Sequence, residues 1–161
     1  MEIYFVRFKS PIGLIEIISS KHAIHALYFM SSAKHQSEHV PAILVECLVQ
    51  LEEYFSGRRK EFTINTEQSG TDFQKLVWKK ISSIPFGKTV SYLEVARQVG
   101  DEKSVRAVGN ANGKNKIPII IPCHRVIGVN ESLVGYAGGL WRKQWLLDHE
   151  KKYEYGIQKL F

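Results

Sequence analysis

The sequence predicts an α+β protein in two parts: a small N-terminal α/β domain with an antiparallel sheet and one helix, and a mainly helical C-terminal domain. Three observations support this. β-Branched and aromatic runs dominate the first 30 residues, apolar residues recur at helical spacing from residue 43, and several capped helical segments follow residue 70. The polar stretch 66–71 separates the parts, so we place the domains at residues 1–68 and 69–161.

The N-terminal domain should begin with a three-stranded meander. The runs 3–8, 14–18 and 24–29 are rich in strand-forming residues, and Ser10-Pro11-Ile12-Gly13 marks a turn between the first two. Apolar residues spaced by three and four over 43–55 predict a helix that ends at Ser56-Gly57. Residues 62–64 form a candidate fourth strand.

The C-terminal domain should contain a helix-turn-helix. Thr71 or Asp72 can cap a first helix that ends at 85–87. Ser91 and Glu94 have the spacing of a capping box for a second helix, which Gly100 ends. A third helix should run from about 103 to 113. Two short helices joined around a glycine are typical of a helix-turn-helix, here in a winged-helix-like domain.

The remaining C-terminal segments lead to and follow a cysteine. The apolar, proline-bounded stretch 115–122 should be extended and lead into Cys123, and a last helix should begin near Leu140. Trp78, Trp141 and Trp145 fall on helical segments, where we expect them to pack between helices.

Composition narrows the class of protein. No apolar run approaches the ~20 residues of a membrane-spanning helix, and the N-terminus lacks the pattern of a secretory signal. We therefore expect a cytoplasmic protein without membrane partners. We also expect a monomer. The formal net charge of +6 favours a polyanionic partner such as nucleic acid.

Cys123, His124 and Arg125 place a thiol, an imidazole and a guanidinium on consecutive residues. A cysteine attacks as its thiolate, which nearby basic groups favour, and Glu150 on the last helix could orient the imidazole. Taken alone, a Cys-His pair is more often a buried structural cysteine beside a packed histidine.

The segments around this pair resemble the O6-alkylguanine-DNA alkyltransferases. The stretch Ile117-Pro118-Ile119-Ile120-Ile121-Pro122-Cys123-His124-Arg125-Val126-Ile127-Gly128 is similar to the active-site signature of that family. Other matching segments occur in the family's order, namely 73–78, 85–92, 106–111, 135–140 and 143–150. The N-terminal part is similar more loosely, through 10–13 and 51–57.

The resemblance implies DNA repair by direct reversal. Cys123 would take the alkyl group from O6-alkylguanine, and also from O4-methylthymine, in one irreversible transfer that uses each molecule once. This is the activity of a methylated-DNA–protein-cysteine methyltransferase, which needs no cofactor or metal. His124, through water and braced by Glu150, would accept the thiol proton. Tyr92 would assist the leaving guanine.

Further roles follow from the same resemblance. Lys143 would stabilise charge at the pocket, and Asn115 would be a hinge between the recognition helix and the active-site strand. The backbone of Cys123 and Val126 would read the base. The pocket is implied to be lined by Val126, Gly135, Tyr136, Ala137 and Gly138.

The implied partner is double-stranded DNA carrying O6-alkylguanine, bound through its minor groove with the damaged base flipped out. Arg106 would fill the vacated space, and Ala107 and Gly109 would let the helix approach the groove closely. Ser91, Tyr92 and Arg125 complete the implied DNA contacts. The sequence departs from the family at Lys116, where proline is usual, at Asn110, and in 129–132, which lacks a glycine.

A metal site and a second reactive thiol are not expected. Cys47 lies on the apolar face of the 43–55 helix, where core packing is favoured. The pairs His22/His25 and His35/His39 have usable spacings, but no second thiol joins Cys47 in that half to complete a tetrahedral zinc site.

Three alternatives remain open from the residues. A lesion-binding relative would lack the cysteine, which this chain has. A cysteine hydrolase using Cys123, His124 and Glu150 would turn over many substrate molecules. A helix-turn-helix regulator would prefer one operator sequence, whereas a repair protein binds with little sequence bias and with salt-dependent affinity.

Overall fold

The computed structural model describes residues 1–30, 37–129 and 133–156, which fold as two compact units, Met1–Ser69 and Gly70–Phe161. The first unit contains an antiparallel sheet and a helix, and the second is mainly helical. The predicted α+β organisation is confirmed. No helix in the described ranges combines the length and apolar character needed to cross a bilayer.

The first unit is a meander packed on one helix. Strands β1 (Tyr4–Ser10), β2 (Gly13–Ser19) and β3 (Ile24–Met30) pair antiparallel in that order, and helix α1 spans Ala42–Phe55. Alternate strand residues point into the core with the apolar face of α1, as period-two and period-3.6 patterns require. The largest fully buried side chains here are Ile12, Ile15, Ile17, Ile24, Leu27, Leu44, Leu51 and Tyr54.

The prediction of a fourth strand at 62–64 was wrong. These residues, all described, form no strand, because the buried side chain of Gln50 satisfies the backbone of Thr63 instead. Oε1 of Gln50 accepts from the Thr63 amide at 2.9 Å, and its Nε2 donates to the Thr63 carbonyl at 3.3 Å. Slightly later, Thr66 forms an isolated parallel bridge with Ile24.

The second unit surrounds a short parallel strand pair with helices. Its elements are α2 (Asp72–Ser82), β4 (Val90–Ser91), α3 (Tyr92–Gln98), α4 (Val105–Gly113), β5 (Val126–Ile127) and α5 (Leu140–Tyr155). β4 pairs with β5, and 3₁₀ turns at Glu102–Ser104 and Cys123–Arg125 precede α4 and β5. The consecutive helices α3 and α4 are the predicted helix-turn-helix pair.

The caps refine the predicted helix starts. Thr71, not Asp72, caps α2, and it forms a full capping box with Gln74, each side chain accepting from the other's amide. Ser91 caps α3 by accepting from the Glu94 amide at 3.0 Å. A full capping box would also have the Glu94 carboxylate accept from the Ser91 amide. That carboxylate instead accepts from Gln98 at 3.3 Å.

Residues 115–122 are a compact series of turns, so the extended segment expected there was wrong. The Ile121 amide donates to the Ile117 carbonyl at 2.9 Å, and Ile119 has a positive φ of 75°. The Asn115 side chain organises the turns, since it accepts from the Ile117 amide at 3.1 Å and donates to the Ile121 carbonyl at 2.9 Å. An apolar run is compatible with a strand or with a buried loop, and here these side-chain hydrogen bonds favour the loop.

The three tryptophans have different environments. Trp78 is buried, and its indole donates to the Ala111 carbonyl at 2.8 Å, which fastens α2 to α4. Trp145 stacks on His149 along α5 with 4.9 Å between the ring centroids. The packing expected for Trp141 was wrong, because 56% of this residue is exposed.

Candidate active site

Cys123 is the first residue of the 3₁₀ turn before β5, and it is buried. Its amide donates to the Ile121 carbonyl at 2.7 Å, and its carbonyl accepts from Asn112 at 3.3 Å. Burial raises the pKa of the Cys123 thiol, while the Asn115 carboxamide and the Lys143 ammonium oppose that rise. The resting group at neutral pH is therefore a thiol, and it needs a base to become a nucleophile.

His124 and Glu150 form a buried pair in which Nε2 of the imidazole lies 2.7 Å from Oε2 of the carboxylate. Burial lowers the pKa of His124 below its ordinary value, although Glu150 opposes this, so the imidazole is neutral at neutral pH. Burial alone would raise the pKa of Glu150, but His124 and Arg125 outweigh it and hold that pKa well below its usual range.

These protonation states assign the imidazole proton. An ionised Glu150 only accepts hydrogen bonds, so Nε2 of His124 carries the proton and donates it. Nδ1 of His124 then has a free lone pair, and this buried atom has no hydrogen-bond partner among the described residues. The arrangement can take up one proton at Nδ1, with the resulting imidazolium stabilised by Glu150.

Arg125 belongs to the same buried network and not to the surface. Its Nε and Nη2 donate to the two oxygens of Glu150 at 2.8 and 2.9 Å, and Nη1 donates to the Ile84 carbonyl at 2.7 Å. Only 5% of the residue is exposed. The DNA contact expected for Arg125 does not fit this position, because its charge is already occupied by a buried bidentate ion pair. Arg125 instead orients Glu150.

Lys143 is buried, and its ammonium donates to three backbone carbonyls. Its Nζ donates to the carbonyls of Val126 at 2.8 Å, Val134 at 2.7 Å and Gly135 at 3.4 Å. Burial lowers the pKa of Lys143 to about 8, although a charge on Cys123 would oppose this. The ammonium therefore joins β5 to the segment that precedes α5, with a positive charge within electrostatic reach of the thiol.

Two tyrosines also lie within electrostatic reach of Cys123. Burial raises the pKa of Tyr92; the Asn112 carboxamide opposes the rise and the charge of Cys123 adds to it. Burial raises the pKa of Tyr136 well above its usual value, and Cys123 again adds to it. Both phenols keep their protons at neutral pH. The Tyr92 hydroxyl donates to the Val134 carbonyl at 3.4 Å, and the Lys143 ammonium lies 5.9 Å from the centre of the Tyr92 ring.

The residues expected to line the pocket lie in β5 and in the stretch before α5, which Lys143 joins through the carbonyls of Val126 and Gly135. Val126 is buried in β5, and Gly138 is buried close to the start of α5. Gly135 and Ala137 are exposed, and Tyr136 lies between them. The departure from the family noted at 129–132 falls largely on residues 130–132, which lie outside the described residues.

The residues expected to contact DNA on α4 face solvent. Arg106 and Ala107 are exposed, while Val108 on the opposite side of the helix is buried. Gly109 is half-buried, and a Cβ built on it would lie 3.9 Å from the Tyr92 ring, in ordinary contact. The hydroxyl of Ser91 already accepts the cap hydrogen bond of α3.

Two positions that support the site, Asn112 and Gly87, were not identified from the sequence. The buried Asn112 holds the Cys123 carbonyl, and the Gly87 amide donates to Oε1 of Glu150 at 3.2 Å. Gly87 has a φ of 81°, which its position in a Pro-Phe-Gly turn could have indicated. Nothing in the spacing around Asn112 distinguishes it from a surface helix residue.

Cys47 and the described histidines of the N-terminal unit have separate environments. Cys47 is fully buried, and burial raises the pKa of its thiol to about 12. Nδ1 of His25 lies 2.8 Å from the Glu67 carbonyl, and His39 packs edge-on against Tyr4. His35 lies outside the described residues. Within the described ranges, no group of three or more potential ligands is positioned to hold a metal ion.

Family models match both parts of the chain. The model of the 6-O-methylguanine DNA methyltransferase DNA binding domain matches residues 72–152, and that of the ribonuclease-like domain of the same proteins matches residues 3–68. A methylated-DNA–protein-cysteine methyltransferase of Methanosarcina acetivorans is 43% identical over 154 residues, which cover 91% of this chain and 97% of that protein.

Solved structures agree with the family models. The crystal structure of Mycobacterium tuberculosis O6-methylguanine methyltransferase has a TM-score of 0.85 at 38% identity, and the match covers 94% of each chain. The crystal structure of Mycobacterium tuberculosis OGT in complex with DNA has a TM-score of 0.84 at 40% identity, covering 92% of this chain and 93% of that one.

Proposed function

The chain belongs to the 6-O-methylguanine DNA methyltransferase family, and we propose that it repairs DNA by moving an alkyl group from O6 of guanine to Cys123. The observation that carries this proposal is the position of Cys123. A buried thiol immediately precedes a buried neutral imidazole, and a carboxylate 2.7 Å from that imidazole can stabilise its protonated form. This is the arrangement of an activated nucleophile and its base.

The transfer is a single displacement. The sulfur of Cys123 attacks the alkyl carbon, the bond from that carbon to O6 breaks, and its electron pair goes to the guanine. The thiol proton passes through a water to Nδ1 of His124, and Glu150 stabilises the imidazolium. The Tyr92 phenol, which keeps its proton, supplies a hydrogen bond or proton to the leaving base.

The products explain why each molecule acts once. The thioether left on Cys123 is stable and has no route to hydrolysis. The reaction balances without any cofactor or metal. A methyl group on O4 of thymine presents the same kind of carbon–oxygen bond, so we include O4-methylthymine among the substrates.

The substrate must reach a cysteine that is only 6% exposed. O6 of a paired guanine is itself inside the duplex, so we propose that the damaged nucleotide flips out of the helix to react. The exposed Arg106 would occupy the space it leaves, and Ala107 with Gly109 would let α4 enter the minor groove. Tyr136 and Gly138 would border the extruded base.

The cellular setting follows from similar arguments. Cys47 and Cys123 are both free and buried, which suits a reducing compartment, so we propose that the protein acts in the cytoplasm. A net charge of +6 favours encounter with duplex DNA. We propose that it acts there as a monomer.

Stoichiometric methylation tests the proposed function. The protein is incubated with excess duplex containing O6-methylguanine, and its intact mass and peptide map are recorded. We expect one methyl group per chain, on Cys123, and none in Cys123→Ala. Cys47→Ala is the matched control that should still accept one methyl group. An unmodified wild-type Cys123 would refute the proposal, and repeated turnover would indicate a cysteine hydrolase.

A further inference from the structure

Residues 134–139, here called the wall segment, are attached to α5 at both ends. At the first end, Lys143 donates to the carbonyls of Val134 and Gly135. At the second end, Nη1 of Arg142 donates to the Gly138 carbonyl at 2.7 Å. Consecutive side chains of one helix thus hold the two ends of a segment that contains Tyr136.

The attachment at the second end depends on an exposed tryptophan. The guanidinium carbon of Arg142 lies 4.5 Å from the ring centroid of Trp141, a cation–π contact. The indole also covers Gly139, since a Cβ built on that glycine would lie 3.5 Å from Cδ1 of Trp141. Trp141 has no core to fill, yet it fixes the orientation of Arg142 and covers the end of the wall segment.

Arginine suits this position better than lysine would. A guanidinium can donate in its own plane to a carbonyl while its face rests on an aromatic ring, whereas an ammonium is a point charge without a face. Arg142 does both, to Gly138 and to Trp141. Losing either contact should therefore loosen the other.

We propose that the Trp141–Arg142 pair limits the size of the alkyl group that the protein accepts, by holding the second end of the wall segment against the reaction site. The proposal rests on the proposed function, because it assigns the wall segment to the alkyl pocket. The first end of the wall segment lies beside the reaction site, because Nζ of Lys143 donates both to Val134 and to Val126, three residues after Cys123. Tyr136 lies between the two attachments, and the charge of Cys123 adds to the rise that burial causes in its pKa. Trp141 and Arg142 are positioning residues that act through the backbone of 138–139.

The first test compares substrates. Single-turnover rate constants are measured over a range of concentrations of duplex DNA carrying O6-methylguanine or O6-benzylguanine. We expect the benzyl-to-methyl ratio at saturation to rise about tenfold in Arg142→Ala and in Trp141→Ala, as expected for the loss of one hydrogen bond from a charged donor. Trp141→Phe keeps an aromatic face and should retain the wild-type ratio, whereas Arg142→Lys should not.

Arg58→Ala is the matched control, because it removes the same charge from an exposed side chain of the first unit. Its ratio should equal that of the wild type. If Arg142→Ala and Trp141→Ala slow both substrates equally, or change only the half-saturating DNA concentration, the pair contacts DNA and the proposal is overturned.

A second test needs no alkyl transfer. The Gly139 amide donates to the Tyr136 carbonyl at 2.9 Å, across the second end of the wall segment. Its hydrogen exchange should be about tenfold faster in Arg142→Ala than in the wild type or Arg58→Ala. Unchanged exchange overturns the proposal even if methyl transfer is intact. Absence of transfer in the wild type would refute the proposed function and the size limit with it, whereas unchanged exchange with intact transfer refutes the size limit alone.

Discussion

Nε2 of His124 lies 2.7 Å from Oε2 of Glu150, and both side chains are buried. Burial keeps the imidazole neutral, while two cationic or hydrogen-bonding neighbours keep the carboxylate ionised. The neutral imidazole can therefore act as a base through Nδ1, whose lone pair has no hydrogen-bond partner among the described residues. Arg125 and Gly87 donate to the same carboxylate and fix the direction from which it meets the imidazole.

Replacing Arg125 or Arg106 by alanine should affect different properties of the protein. Arg125→Ala removes the two hydrogen bonds that Arg125 donates to the buried Glu150, and breaking a buried ion pair costs about 3–5 kcal/mol, so urea denaturation should show a loss of that order. Arg106→Ala removes an exposed side chain, so stability should stay unchanged while duplex binding and methyl transfer weaken. Equal stability losses in the two variants would contradict these roles.

Stability should decrease as the solution becomes acidic. His124 has a lowered pKa, so below its unfolded value of about 6.5 the unfolded chain binds a proton that the folded chain does not. Glu150 also has a lowered pKa, and its contribution is present above about 4.3 and lost as pH falls towards its folded pKa. Urea midpoints measured between pH 7 and pH 4 should therefore fall.

A variant isolates the histidine part of that decrease. His124→Gln removes the group that gains a proton on unfolding, so its midpoint should change less than that of the wild type between pH 6.5 and 5, a range set by the ordinary histidine pKa. If the urea midpoint changes equally with pH in the two proteins, groups other than His124 cause the decrease.

Gly87 and Gly100 offer a matched pair for backbone strain. Both have positive φ, 81° and 109°, so alanine strains the backbone at either position. At Gly87 a Cβ would also lie 2.7 Å from Cβ of Glu154 and disturb the amide that donates to Glu150, while nothing lies within 4 Å at Gly100. We expect Gly87→Ala, but not Gly100→Ala, to slow methyl transfer and shift its pH profile. Identical pH profiles would mean that Gly87 serves the fold alone.

Cys47 should be chemically silent in the folded protein. Burial raises the pKa of its thiol to about 12, so almost no thiolate is present at neutral pH. Iodoacetamide treatment followed by peptide mapping should leave Cys47 unmodified in the native protein and modify it after unfolding in urea. Rapid native labelling at Cys47 would show that α1 opens more readily than its packing implies.

The elements that depend on near neighbours could be predicted from the sequence. Apolar spacing predicted α1 and the start of α5, and apolar spacing with a capping residue predicted α2, because helix formation is decided over three or four positions. The ordered family segments identified Cys123 as the candidate nucleophile, whose buried surroundings fit that role.

Only the tertiary structure decided what each side chain meets. Arg125 lies two residues after Cys123 in the sequence, yet its charge is buried against Glu150, 25 positions away. Residues 115–122 fold into turns because Asn115 closes them, and Trp141 is exposed although it lies on a helix. Sequence patterns report which residues prefer to be buried, whereas burial and ion pairing depend on contacts that form only when distant segments meet.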